Sequence, residues 1–173
     1  MITAVLLILA APMIQADVDI LARSKSGKVL CSNPDAATKS CSSMTSFDIS
    51  ADGSVSETTE VLLTTDQPLT LTMSIAAQVT AGSNCGTMTL EDLRRGQVRM
   101  GGQAIPTDRN TLVLERLEQS MAQLAGKTIC EAIRLESTGL VKYGQVEGID
   151  IKLPGKPVMW VSPIDGYKVK PPR

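Results

Sequence analysis

Histidine is absent from this chain of 173 residues, and its absence removes several kinds of active site. Without histidine, the Ser-His-Asp triad and its Cys-His relative cannot be built in their usual form. The His-rich sites that commonly hold zinc are excluded for the same reason. The chain also contains no Gly-x-Ser-x-Gly elbow and no complete phosphate-binding or dinucleotide-binding motif. We therefore predict no metal site and no bound cofactor.

Aromatic side chains and surplus positive charge are also lacking. The aromatic residues are Phe47, Tyr143, Trp160 and Tyr167. Platforms on which bases stack need several exposed rings. The chain has 17 basic and 18 acidic residues, a net charge of -1, so it has no basic surplus to bind phosphate backbones. We expect no nucleic-acid partner and a core of aliphatic residues and methionine.

Paired carboxylates remain possible in this composition, because glycoside hydrolysis needs only two carboxylates across a cleft. The candidates are Asp48, Glu60, Glu91, Asp92, Glu131, Glu147 and Asp150. Their spacing singles out no pair. The better interpretation of each is an ordinary solvated carboxylate.

The first sixteen residues carry no charged side chain and are mostly apolar. Their apolar run at 5–11 is shorter than the roughly 20 residues that span a bilayer. It is followed by Pro12 and by the small residue Ala16, as in secretory signals. The pattern predicts a cleaved signal peptide at 1–16 and a single exported domain at 17–173, without a stable membrane anchor. A buried N-terminal strand or helix of a cytosolic protein is the alternative.

Four cysteines occur in the chain: Cys31, Cys41, Cys85 and Cys130. An even number behind a signal peptide predicts a disulfide framework in an oxidising compartment, hence the periplasm or secretion. Of three possible pairings we favour Cys31–Cys41, which flanks a turn-rich segment, and Cys85–Cys130, which brackets a helical element. Zinc is less favoured because the closest spacing is ten residues. A reactive thiol is less favoured because no histidine is available as its base.

Alternating apolar and polar residues predict an antiparallel sheet. The clearest strand is 69–79, where Leu, Met, Ile, Ala and Val alternate with Thr, Ser, Ala and Gln. Asp52-Gly53 predicts a hairpin between strands on either side of it. The other predicted strands are 28–31, 45–49, 55–65, 129–136, 140–146, 149–153 and 158–161. The segment 81–86 is predicted to be a loop, and the residues Pro154, Gly155 and Pro157 are predicted to interrupt the sheet.

Two helices are predicted after the clearest strand. Thr89 and Asp92 form a partial capping box for a short helix that ends at Gly96. From 107 to about 125, apolar residues recur at spacings of three and four and form one stripe: Leu114, Leu117, Met121 and Leu124. The sequence thus predicts an α+β fold, an antiparallel sheet with the helix at about 107–125 packed on one face, stapled by disulfides.

Several segments carry a resemblance to known proteins. They are CSNPDAATKSC at 31–41, Cys-Gly at 85–86 before a short acidic helix, Ile-Cys at 129–130 and VMWVSPIDGY at 158–167. Together they resemble a set of small exported four-cysteine proteins of Gram-negative bacteria that carry no assigned activity. The resemblance implies a periplasmic or secreted location and a four-cysteine framework. It implies no catalytic residue.

These features predict a non-catalytic exported domain that binds a protein or a cell-envelope component. The alternative is a periplasmic hydrolase that uses a carboxylate pair. That alternative requires a concave pocket holding two or more carboxylates with raised pKa values. A thiol-dependent redox role would require a free or easily reduced cysteine.

Overall fold

The computed structural model describes residues 19–80, 82–149 and 152–171. The predicted signal peptide at 1–16 and the candidate carboxylate Asp150 lie outside these ranges. No helix within them is long and apolar enough to cross a bilayer.

The chain is built mainly of strands. In order they are β1 (Val29–Ser32), β2 (Ser40–Cys41), β3 (Ser43–Ile49), β4 (Val55–Leu62), β5 (Leu69–Val79), β6 (Ser83–Thr87), β7 (Gln97–Met100), β8 (Gln103–Ala104), β9 (Thr128–Glu136), β10 (Gly139–Val146), β11 (Lys152–Val161) and β12 (Lys168–Val169). The helices are α1 (Ile20–Lys25), α2 (Leu90–Arg94) and α3 (Thr107–Met121), with a short 3-10 helix at Pro163–Asp165.

Eight of these strands close into an antiparallel β-barrel in the order β4-β3-β1-β11-β10-β9-β6-β5, and β5 pairs back with β4. The long strand β5 makes closure possible. One of its edges pairs with β4 at 70–77, while its other edge pairs with β7 at 69–72 and with β6 at 77–79. The hairpin β7–β8 therefore extends from the barrel, and β2 with β12 forms a separate parallel pair.

The predicted alternation of β5 is confirmed. Met73 and Ile75 line the interior of the barrel. On the opposite parity, the Ser74 hydroxyl lies 2.7 Å from the Thr58 hydroxyl on an exposed surface. From Met73 to Val79 one face of the strand is therefore the more buried and the other faces water, as the period of two requires, whereas Thr70 at its start is buried on the outer parity.

The α+β prediction is wrong, because the chain is mostly β and its sheet closes on itself instead of packing on a long helix. The predicted helix exists as α3 but ends at Met121. Inward-facing side chains of opposite strands bury one another in a closed barrel, so the sheet needs no helix to cover an apolar face.

Helix α3 packs instead against α2 and β7. Its Asn110 Oδ1 accepts a hydrogen bond of 2.7 Å from the backbone N–H of Val98. Its Glu118 carboxylate accepts two hydrogen bonds from the Arg94 guanidinium of α2, at 2.7 and 3.0 Å. These contacts hold α3 on the β7 side of the molecule rather than across the sheet.

Two apolar clusters lie along the barrel. The α1 cluster surrounds the fully buried Ile20 and contains Leu30, Phe47, Ile133 and Val158. The α3 cluster contains Leu71, Leu93, Val98 and Leu114, and the strand residues Val61, Leu69 and Met73 pack against it. A third, smaller cluster surrounds Cys31, Cys41 and Val161.

Both favoured disulfides are confirmed. Cys31 is bonded to Cys41 and Cys85 to Cys130, so all four thiols are used. Cys85 on β6 lies directly opposite Cys130 on β9 in the strand pairing. The second disulfide therefore links two neighbouring barrel strands and closes the segment that carries α2, β7, β8 and α3.

One local prediction is wrong, and a second is confirmed only in part. Within 81–86, predicted as a loop, residues from Ser83 onward form β6, which pairs with β5 on one edge and β9 on the other. The residues Pro154, Gly155 and Pro157 do not end β11, which continues through them, but the β10–β11 register shifts at Pro154 and Gly155, so the pairing is interrupted there by an irregularity. The pairing of β11 with β1 starts only at Val158, so the preceding half is bordered by β10 alone. Proline is tolerated on such an edge, where its missing N–H breaks no ladder.

Candidate functional site

The barrel interior holds a cavity of about 260 Å³ between the two apolar clusters. Two of its polar residues lie on the same face of their strands as residues that pack against the α1 cluster, two positions further along the chain. Glu57 follows Val55 by two, and Lys142 follows Leu140 by two. Its apolar wall consists of Val61, Met73, Ile75, Met88 and Ile129. An eight-stranded barrel is wide enough either to be filled by its side chains or to hold one small ligand.

Glu57 on β4 is an acid of this cavity whose pKa is raised. The amide of Asn84 donates a hydrogen bond of 2.7 Å to one carboxylate oxygen, and the Thr59 hydroxyl donates one of 3.2 Å to the other. Burial raises the pKa of the Glu57 carboxyl, and the nearby charge of Glu131 raises it further. Lys142 and the two hydrogen bonds oppose this rise without cancelling it.

Glu131 on β9 has a different environment in the same cavity. The Lys142 ammonium donates a hydrogen bond of 2.8 Å to its carboxylate, and the side chains of the pair are only 23% and 10% exposed. Lys142 lies on β10 directly opposite Ile133, so this ion pair crosses diagonally between the two strands. Glu131 therefore has its own counter-charge, whereas Glu57 accepts hydrogen bonds from neutral groups.

Lys156 on β11 is the fourth charged residue of the cavity. It lies opposite Lys142 in the β10–β11 pairing, but its side chain is exposed. This half of β11 borders no second strand, so Lys156 marks the rim of the cavity. Among the residues that the structure describes, neither Lys156 nor Glu57 makes an ion pair.

The predicted candidate residues are placed in different parts of the molecule. Of the carboxylate candidates that the structure describes, only Glu131 lines the cavity. Glu147 lies in an outer groove beside the Cys85–Cys130 disulfide. Glu60 lies in another outer groove. The remaining described candidates are surface residues: Asp48 is exposed, Glu91 pairs with Arg95, and Asp92 caps α2.

Glu57 was not among the predicted candidates, although the sequence contains a signal for it. Glu57 lies on the same parity of β4 as Val55 and Val61, which point inward. A charged residue at an inward position of a strand is costly unless it has partners or a function. The sequence alone therefore shows a charged residue on the face of β4 where the alternation predicts apolar ones.

Within the described ranges, no group of three or more metal-binding side chains lies close enough together to hold an ion. Comparison of the chain with protein-family models, curated proteins and solved structures finds no match. The resemblance to exported four-cysteine proteins stays a prediction. The function is therefore inferred from the geometry of the cavity.

Proposed function

We propose that this chain is a non-catalytic exported binding domain that holds a small molecule inside its β-barrel. The observation that carries the proposal is the cavity of about 260 Å³, with five apolar side chains and a half-buried carboxylate that lacks an ion pair. An apolar wall with a few convergent polar groups is the usual composition of a small-molecule site.

Export to the periplasm or outside the cell is part of the proposal. Its support is the pair of disulfides together with the uncharged, apolar residues 1–16. A cell-envelope component small enough to enter the barrel is one ligand of this class. A protein partner, which would need an outer surface, stays a prediction from the sequence.

The test is a thermal-shift screen of small molecules on the oxidised full-length protein, followed by titration calorimetry of the hits. A ligand that binds only the folded state raises the unfolding midpoint with concentration. We expect a hit that binds once per chain and that Met88→Trp, which fills the cavity, abolishes its binding. Met100→Trp is the matched control, because Met100 is 41% exposed on β7.

Two results would contradict the proposed site. One is the absence of any binding compound, and the other is equal binding to Met88→Trp and to the wild type. If Met88→Trp fails to fold, Met88→Phe is the milder variant, because it changes the shape of the wall with little added volume.

A hydrolase that uses Glu57 and Glu131 is the second candidate. It is favoured by one observation: both carboxylates line the same cavity, and the pKa of Glu57 is raised by burial and by Glu131. A protonated acid beside an ionised carboxylate is the arrangement that glycosidases use. It ranks second because Asn84 and Thr59 bind one carboxylate and Lys142 binds the other.

Nitrophenyl glycosides provide the test that separates the two functions. Turnover by the wild type that is lost in both Glu57→Gln and Glu131→Gln would support hydrolysis and contradict a purely binding role. Turnover that survives both substitutions would point to a contaminating enzyme. For the wild type we expect no turnover above that of a heat-denatured control.

A further inference from the structure

We infer that the ligand of this cavity is a small organic amine, whose ammonium group binds beside the Glu57 carboxylate and whose hydrocarbon part packs on the apolar side chains of the same cavity. The inference rests on the proposed binding function and names its ligand class. The juxtaposition that carries it is a carboxylate without an ion pair that lines the same cavity as Ile75, Met73 and Met88.

The first step is the pattern of charges that face Glu57. Glu131 faces it from β9, Lys142 from β10 and Lys156 from β11. The Lys142 ammonium is already bound to Glu131 at 2.8 Å, and Lys156 is exposed at the rim. Apart from the exposed Lys156, the cavity therefore contains two carboxylates and one ammonium, which leaves this part of it one negative charge in excess when Glu57 is ionised.

The second step is the cost of that excess charge. An ionised carboxylate that leaves water without a positive partner is destabilised, even where neutral groups donate hydrogen bonds to it. The pKa of Glu57 is raised by burial and by Glu131, which are the two effects that a nearby cation would offset. An ammonium group of a ligand would supply the missing partner, since charge-assisted hydrogen bonds are stronger than neutral ones.

The third step distinguishes an organic amine from a metal ion. Within the described part of the chain no set of three acidic or cysteine side chains could ligate a metal. The apolar wall begins beside Glu57, since Ile75 is its direct partner on β5, and a hydrated ion would gain nothing from contact with this wall. A hydrocarbon chain would leave water when it packs against this wall, and that transfer favours binding.

Three probes of equal length test the inference: octylammonium, 1-octanol and octanoate. Each is titrated into the oxidised full-length protein by calorimetry, and the fluorescence of Trp160, the only tryptophan, reports on the adjacent α1 cluster. We expect octylammonium to bind at least about tenfold more tightly than 1-octanol, and octanoate to bind most weakly.

Glu57→Gln tests the role of the carboxylate. It should reduce the affinity for octylammonium by about tenfold and change that for 1-octanol by less than about twofold. Glu60→Gln is the matched control, because Glu60 belongs to the same strand but lies in an outer groove. The affinity of the wild type for octylammonium should also rise as the pH rises through the pKa of Glu57, and Glu57→Gln should flatten that rise.

The outcomes separate the two levels of the proposal. If none of the three probes binds, the inference is wrong, and the thermal-shift screen decides whether the interior site binds another class of molecule. If all three bind equally, or if octanoate binds best, the site stands and the preference for an amine is wrong. The same holds if Glu57→Gln leaves octylammonium binding unchanged. The ranking of the probes on the wild type does not depend on whether any variant folds.

Discussion

Glu57 and Glu131 carry the same side chain into the same cavity, and their surroundings give them different properties. Lys142 forms an ion pair with Glu131, while the hydrogen bonds to Glu57 come from the neutral amide of Asn84 and hydroxyl of Thr59. The consequence is a raised pKa for Glu57. At the scale of single residues, the chemistry proposed here depends on which carboxylate has a counter-charge.

The raised pKa of Glu57 predicts how stability changes with pH. The folded protein holds the Glu57 proton more tightly than the unfolded chain does, so this group's contribution is fully present below the ordinary value of 4.5. It is lost as the pH rises through the folded pKa. The free energy of unfolding of Glu57→Gln, relative to that of the wild type, should therefore be higher at about pH 7 than at about pH 4.

Urea denaturation at the two pH values measures this difference. The acids whose pKa values are lowered by hydrogen bonds, Asp35, Asp52 and Asp92, give the opposite slope. They are present in both proteins, so their contributions cancel. A relative stability that does not change with pH would mean that Glu57 has the same pKa in the folded and unfolded states.

Helix α3 shows how an element can be predicted correctly and placed wrongly. Its apolar stripe contacts α2, β7 and the start of β5 rather than a sheet face, and Gly96 allows the close approach. A Cβ at Gly96 would lie 2.8 Å from the Leu93 carbonyl oxygen and 2.8 Å from a methyl carbon of Leu71. The stripe specifies that α3 buries one side but not which partner buries it.

Two leucines in the middle of α3 provide a matched pair for testing this packing. Leu114 is 4% exposed in the α3 cluster, whereas Leu112 is 56% exposed. Leu114→Ala should lower the free energy of unfolding by about 2–4 kcal/mol, because it leaves a cavity among Leu71, Leu93 and Val98. Leu112→Ala should change it by less than about 0.5 kcal/mol. Equal losses in urea denaturation would show that α3 does not pack as described.

At the scale of the whole molecule, closure of the barrel depends on contacts between segments that are far apart in the chain. The Cys85–Cys130 disulfide has a sequence separation of 45 residues and joins β6 to β9. It restricts the unfolded chain and fixes the register of two barrel strands. The Cys31–Cys41 disulfide closes a separation of only 10 residues.

Removal of the long cross-link should destabilise the barrel as a unit. The loop-entropy relation gives a loss of about 4 kcal/mol for Cys85→Ala with Cys130→Ala. Either single substitution breaks the same bond, so each should cost about as much as the double variant. Urea denaturation followed by circular dichroism measures all three proteins. A loss well below about 1 kcal/mol in every variant would mean that the disulfide does not constrain the unfolded chain.

The sequence by itself determined the local structure of this protein. Alternation located β5, Asp52-Gly53 marked the hairpin between β3 and β4, and the apolar stripe located α3. The even number of cysteines and their flanking segments predicted both disulfides. These features depend on the spacing of neighbouring residues, which is why they can be read from the chain alone.

Only the tertiary structure decided that the sheet closes and that its interior contains a site. Closure needs β5 to pair with β4 on one edge and with β6 and β7 on the other, and the short β6 gives no strong local pattern. The same closure brings Glu57 and Glu131 from distant strands into one cavity. Local spacing does not encode which strands become neighbours, because that choice depends on how the whole chain buries its apolar surface.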